Sequence, residues 1–146
     1  MPKLISIAVP AKRRLISAVL TAESYAMELF VASAAEFSEG QKRIVTHGKH
    51  EIGVIRAKGG LHAYLNICPH QGGPVCEGML IHRVEEVIAE DQTYLGTRFN
   101  EDDLHIVCPW HGWEFNVETG KCAGDGKHGL RKFPVVERDG AVYVVI

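Results

Sequence analysis

No apolar run in this sequence approaches the roughly 18 residues that a membrane-spanning helix needs, so the body of the chain reads as outside the bilayer. There is no Walker loop, no nucleophile motif and no dinucleotide fingerprint leading into a helix, which removes the common nucleotide-binding and covalent-catalytic chemistries. Acidic residues are missing from positions 1–22, which hold four basic groups (Lys3, Lys12, Arg13, Arg14). Removing these from the 16 basic groups leaves 12 against 18 acidic ones in residues 23–146, a net of −6. An acidic body of this kind argues against nucleic acid, whose binding rests on neutralising phosphates. It suits a small protein steered toward a basic face on a partner, or serves solubility alone. Cysteine is also sparse, at four residues in 146, and two of the four stand out at once.

Cys68-Pro69-His70 and, 38 residues after that histidine, Cys108-Pro109-Trp110-His111 each carry one thiol and one imidazole. The pair is two residues apart in the first box and three apart in the second, and each box runs into glycine, at Gly72-Gly73 and at Gly112. Two Cys and two His form a ligand set that suits either iron–sulfur chemistry or zinc. Zinc pairs sit two to four residues apart within one knuckle, with His spaced by three to five, and neither box follows that rule. A Rieske centre instead needs two His in place of two Cys on one of the two irons of a [2Fe–2S] cluster, and hence two facing loops that each deliver one of each. A structural zinc domain remains the alternative for the same four residues.

At these boxes the chain resembles the Rieske [2Fe–2S] family. The run Cys108 to Asn116 is similar to Rieske-type ferredoxins and to the Rieske domains of ring-hydroxylating oxygenase systems. The resemblance extends from about Met27 to Ile146 and implies one Rieske [2Fe–2S] cluster, with Cys68 and Cys108 on the buried iron and His70 and His111 on the outer one. It implies no catalytic residues and no small-molecule substrate site. High-potential members carry an extra disulfide between the two cluster loops, with each Cys close behind its box. Here Cys76 lies six residues past His70 and Cys122 eleven past His111, and neither position matches. Both therefore read as free thiols, which suit a reducing compartment and a cytoplasmic location. Those members also place Ser and Tyr hydroxyls just after the second His, where this chain has Trp113 and Phe115, so the expected potential is low.

The pattern from Met27 onward is one of short strands divided by turn signals, which predicts an all-β domain. The implied architecture is a Rieske-type antiparallel β-sandwich with a small cluster-binding subdomain. Expected strands cover 29–32, 43–47, 52–57 and 61–67, the last two joined as a hairpin at Lys58-Gly59-Gly60. Compact Rieske ferredoxins have their boxes about half as far apart, so 77–103 is read as an insertion. Its β-prone halves, 79–89 and 93–99, predict an added hairpin that ends in an acidic, solvated turn over Asn100–Asp103. The glycine-containing stretch from Cys122 to Leu130 corresponds to a third loop that covers the cluster in the family, with glycine where members often have proline. The chain closes with a hairpin over 133–137 and 141–146. Trp110 and Trp113 are expected to shield the cluster, and His47, His50, His62, His82, His105 and His128 to be surface or strand residues without ligand roles.

Residues 1–26 read as a poorly ordered or helical extension ahead of the 27–146 domain. The basic cluster followed by Leu15, Ile16, Val19 and Leu20 is also open to reading as a targeting peptide or a short amphipathic surface helix. The chain stops about where a Rieske domain stops, leaving no room for the mononuclear-iron domain of an oxygenase large subunit. Together these features predict a one-electron carrier between redox protein partners, a reductase and a terminal oxygenase. A small or regulatory subunit of a larger oxidoreductase is the second reading.

Overall fold

The computed structural model describes residues 26–146, and the extension expected over 1–26 lies, apart from Ala26, outside them. Ten strands form three antiparallel sheets. The first sheet orders β1 (Glu28–Ser33), β10 (Ala141–Val145) and β9 (Val135–Arg138). The second orders β2 (Lys42–His47), β3 (His50–Ala57), β4 (Gly60–Leu65) and β8 (Lys132–Phe133). The third orders β5 (Met79–Ile88), β6 (Tyr94–Val107) and β7 (Glu114–Asn116). Ala57 pairs with Gly60 across Lys58-Gly59, whose φ angles of 53° and 70° give the twist that a two-residue hairpin loop requires.

The second sheet is the middle layer, and its sequence shows why. Side chains alternate between the faces of a strand. Ile52 and Val54 of β3 and Ala63 of β4 face a core shared with Phe37, Val142 and Val144 of the first sheet. Ile55, Ala57 and Tyr64 face the other way, into a core with Val75, Cys76, Ile106, Phe115 and Val117. A strand buried on both faces reads as a continuous apolar run, as 52–55 does, not as strict alternation. At full burial each such side chain stabilises the fold by about 1.5–3 kcal/mol. The second core also contains Cys68 and Cys108, so the floor of the two boxes is part of the hydrophobic interior.

The inserted hairpin is present as β5 and β6, a ribbon whose strands pair from Met79↔Val107 to Ile88↔Tyr94. One detail differs from expectation. Asn100–Asp103 is not the end of the hairpin but lies inside β6, where His82 pairs with Leu104 and Arg83 with Asn100, so that 101–103 bulge out. The stretch has turn chemistry, because the Asn100 side chain accepts from the Asp102 N–H at 3.0 Å, but the ladder resumes on both sides of it.

Candidate metal centre

Both boxes fold on the same turn. In the first, the Cys68 N–H donates to the Gly73 carbonyl and the Gly72 N–H donates back to the Cys68 carbonyl, each at 2.8 Å. In the second, the Cys108 N–H donates to the Trp113 carbonyl at 2.8 Å and the Gly112 N–H to the Cys108 carbonyl at 3.0 Å. The glycine four residues past each Cys takes a left-handed φ, 79° at Gly72 and 72° at Gly112, which only glycine adopts freely. Gly73 serves differently. A Cβ there would stand 2.9 Å from the Trp110 ring and 3.1 Å from Cys108 Sγ, so its lack of a side chain lets the loops approach each other.

These turns bring all four expected residues together in two layers. Cys68 and Cys108 are 2% and 3% exposed, and all four cysteines are free thiols. His70 and His111 are exposed on the rim, their rings edge to face with centroids 4.9 Å apart. Burial pushes the Cys68 thiol up and Cys108 beside it adds to the rise, while the backbone N–H groups of His70 and Gln71 favour its thiolate. Two adjacent buried thiolates need compensating positive charge, which a bound iron centre would supply. Two thiols on the core floor and two imidazoles at the rim make the two like pairs that a binuclear cluster of this kind requires. The donor set fits the [2Fe–2S] group.

The surroundings hold this arrangement. Trp113 stacks on His70 at 4.6 Å with planes 14° apart, linking the second turn to the first. His128 of the third loop meets Trp113 edge-on at 5.5 Å. That loop gains its rigidity from hydrogen bonds in place of proline. Asp125 accepts from the N–H groups of Lys127 and His128 at 2.9 and 3.1 Å and contacts His128 Nδ1 at 2.5 Å, which holds its carboxyl down at about 2. At the root of the first turn, buried Asn66 donates to Glu51 and Glu77 and accepts from the Cys76 N–H at 2.8 Å. Burial pushes the Cys76 thiol up to about 12. Trp110, 57% exposed, stands beside the rim with one face of its ring against Gly73 of the first turn.

Two contributors escaped the sequence reading. Asn66 carries no spacing signal of its own. His105, expected at the surface or on an ordinary strand, is 2% exposed and lies between Asp103 and Glu114. Asp103 lies two residues before His105 on the same strand, and the register of β6 against β7 brings Glu114 to them.

An all-β domain presenting two Cys and two His from matched turns defines a class of iron–sulfur protein, and comparison with known proteins narrows it. Residues 27–134 match the Rieske [2Fe-2S] domain, and the chain belongs to that family, whose members hold one Rieske-type [2Fe–2S] cluster. It is 27% identical over 114 residues to the ferredoxin component of an alkene monooxygenase system from Xanthobacter autotrophicus, covering 78% of this chain and 77% of the relative. It is 26% identical over 120 residues to a 3-phenylpropionate/cinnamic acid dioxygenase ferredoxin subunit from Photorhabdus laumondii, covering 82% and 94%. A structure of a complex of reduced oxygenase and oxidized ferredoxin in carbazole 1,9a-dioxygenase matches with a TM-score of 0.59 at 28% identity, over 80% of this chain and 91% of the other. Other matching relatives are several times longer, and this chain spans 15–24% of their length.

Proposed function

We propose that this protein is a Rieske-type ferredoxin, a one-electron carrier that accepts electrons from a reductase and delivers them to a terminal oxygenase or a related oxidoreductase. In this reading Cys68 and Cys108 hold the inner iron, and His70 and His111 the outer one. The matched pair of hydrogen-bonded turns carries the ligand assignment, because it aligns Cys with Cys on the core floor and His with His at the rim. The cluster, when bound, supplies a reversible one-electron step at about −150 to +300 mV.

The chain's own residues define the conditions of that step. The buried cysteines exclude water from one side. The exposed imidazoles bring the other side to the surface, where a docked partner comes within short range. Trp113 fixes the His70 ring by stacking. The relatives support the partner assignment, since two are ferredoxin components of oxygenase systems and a third was seen bound to an oxygenase. A reducing, cytoplasmic location is supported by Cys76 and Cys122, both buried and free. No helix among the described residues is long and apolar enough to cross a membrane.

The second turn also bears on potential. Trp113 and Phe115 follow the second His, and neither carries a hydroxyl to donate toward sulfur. The phenol of Tyr64, buried in the same core, is committed elsewhere, donating to the Val117 carbonyl at 2.8 Å. An EPR-monitored redox titration of anaerobically purified protein tests both parts. The expected result is a reduced-state signal with average g below the free-electron value and a midpoint below about 0 mV. A midpoint above about +100 mV would refute the argument from Trp113 and Phe115 while keeping the cluster. Zinc in place of iron would refute the function.

A further inference from the structure

β7 is three residues long and joins β6 at the root of the second turn through three ladder pairs (His105↔Asn116, Ile106↔Phe115 and Val107↔Glu114), with one further bond just beyond them, from the Val117 N–H to the Leu104 carbonyl at 2.9 Å. On the core face of this short ladder lie Ile106 and Phe115. On the other face lies His105, nearly inaccessible at 2% exposure. Its Nδ1 is 2.9 Å from Glu114 Oε2 and its Nε2 is 2.9 Å from Asp103 Oδ1. An ionised carboxylate only accepts, so both bonds form together only when the ring carries both N–H protons. The remaining groups around the bridge reinforce it. Asn116 Nδ2 donates to Asp103 Oδ1 at 2.9 Å, and an Arg83 guanidinium nitrogen lies 3.5 Å from Asp103 Oδ2.

The bridge joins three pieces of chain: Asp103 in the bulge of the ribbon, His105 on the strand entering the second turn, and Glu114 on the strand leaving it. We propose that His105 is a positioning residue of the cluster site, clamping the root of the 108–113 turn so that Cys108 and His111 are presented in register. This rests on the reading of that turn as a ligand loop. Partners of this kind, which fix the residues that fix a metal, alter metal retention by about 10–100-fold when removed. Without the ring, Asp103 and Glu114 would lose the group that bridges them, and the root of the turn would depend on the short ladder and the backbone bonds beside it.

The test uses the cluster-loaded protein and its His105→Gln, Glu114→Gln and doubly substituted variants. Three quantities are read: the g values of the reduced cluster, the rate at which an iron chelator bleaches its visible absorbance, and the thermal midpoint. His105→Gln is expected to shift the g values and to speed bleaching about tenfold or more. Glu114→Gln should act in the same direction but less, and the double variant should bleach within about twofold of His105→Gln, because the two residues serve one clamp. Should His105→Gln fail to fold, Glu114→Gln carries the test, since that side chain is 43% exposed and is not needed to fill the core. Unchanged g values with a bleaching rate within about twofold of the parent would overturn the clamp, even if the thermal midpoint fell, because that pattern marks a purely structural role. A parent protein that binds no iron would instead overturn the ligand reading on which the clamp depends.

Discussion

Gly78 stands between the first turn and β5, and a Cβ on it would lie 1.6 Å from the Val107 carbonyl oxygen. Its φ of −67° suits any residue, so the constraint is purely one of space, and the obstacle is backbone that cannot rotate away. Gly78→Ala should destabilise the protein by about 3 kcal/mol, at the upper end for overpacking, and lower the midpoint of a thermal melt by about 10 °C. Asp125 gives a second prediction at this scale. His128 and the N–H groups of Lys127 and His128 hold its carboxyl at about 2, below the ordinary 3.8, although it lies at the surface. A depressed carboxyl contributes order above its unfolded pKa and loses it as pH falls through the folded one. The third loop should therefore loosen between about pH 4 and pH 2, seen as a loss of protection at the Lys127 and His128 amides, whose exchange should approach its intrinsic rate at each pH. Asp125→Asn should produce the same loosening at neutral pH. Among single residues, Cys68, His70, Cys108 and His111 were legible as a candidate set, because the proposed ligand chemistry asks for residue type and spacing together. His105, Asp103 and Glu114 were not, because nothing in a linear spacing says which strand lies opposite which.

At the scale of elements, the ribbon of β5 and β6 is the part most separable from the rest. No residue from Arg83 to Asp103 is buried, and Val84, Ile88, Tyr94, Leu95 and Phe99 are each about half exposed or more. Its outer half is held by its own ladder and by surface contacts such as Arg98 and Asn100 with Glu85. Exposed pairs of that kind contribute little to a fold's stability. Replacing residues 84–99 with a two-residue turn should leave the reduced-state EPR signal unchanged and the thermal midpoint within a few degrees, since no core is opened. A large loss of stability would show that the ribbon is part of the domain's support. β-prone residues on both sides of Asp91-Gln92 made this hairpin readable from sequence. The bulge was misread because Asn100–Asp103 has the composition of a turn, and composition does not reveal that the ladder continues beyond. The double-sided burial of β3 was not read from the sequence, although its apolar run 52–55 reflects it, because which face meets which sheet depends on the return of β10 beside β1.

For the molecule as a whole, the question is how a partner finds the rim. The 18 acidic against 12 basic groups of residues 23–146 create a net negative field. Part of it is neutralised locally, as at Arg56–Glu137, Lys58–Glu118 and Arg138–Glu28, and these pairs contribute nothing at long range. The surface near the boxes differs in kind. Ile67, just before the first box, Trp110, within the second, and Met79, at the foot of β5, are 47%, 57% and 70% exposed. Long-range attraction to a basic partner and short-range apolar contact should therefore be separable by salt. At about 10 mM salt the Debye length is about 30 Å, and at 1 M it is about 3 Å. With cytochrome c as a basic one-electron acceptor, stopped-flow oxidation of the reduced protein should slow steeply across that range and level off. Trp110→Ala should lower the high-salt plateau while leaving the slope with salt unchanged, because a neutral side chain contributes contact and not field. A rate indifferent to salt would assign the acidic body to solubility alone. A Trp110→Ala variant with an unchanged plateau would move the apolar contact away from the second box.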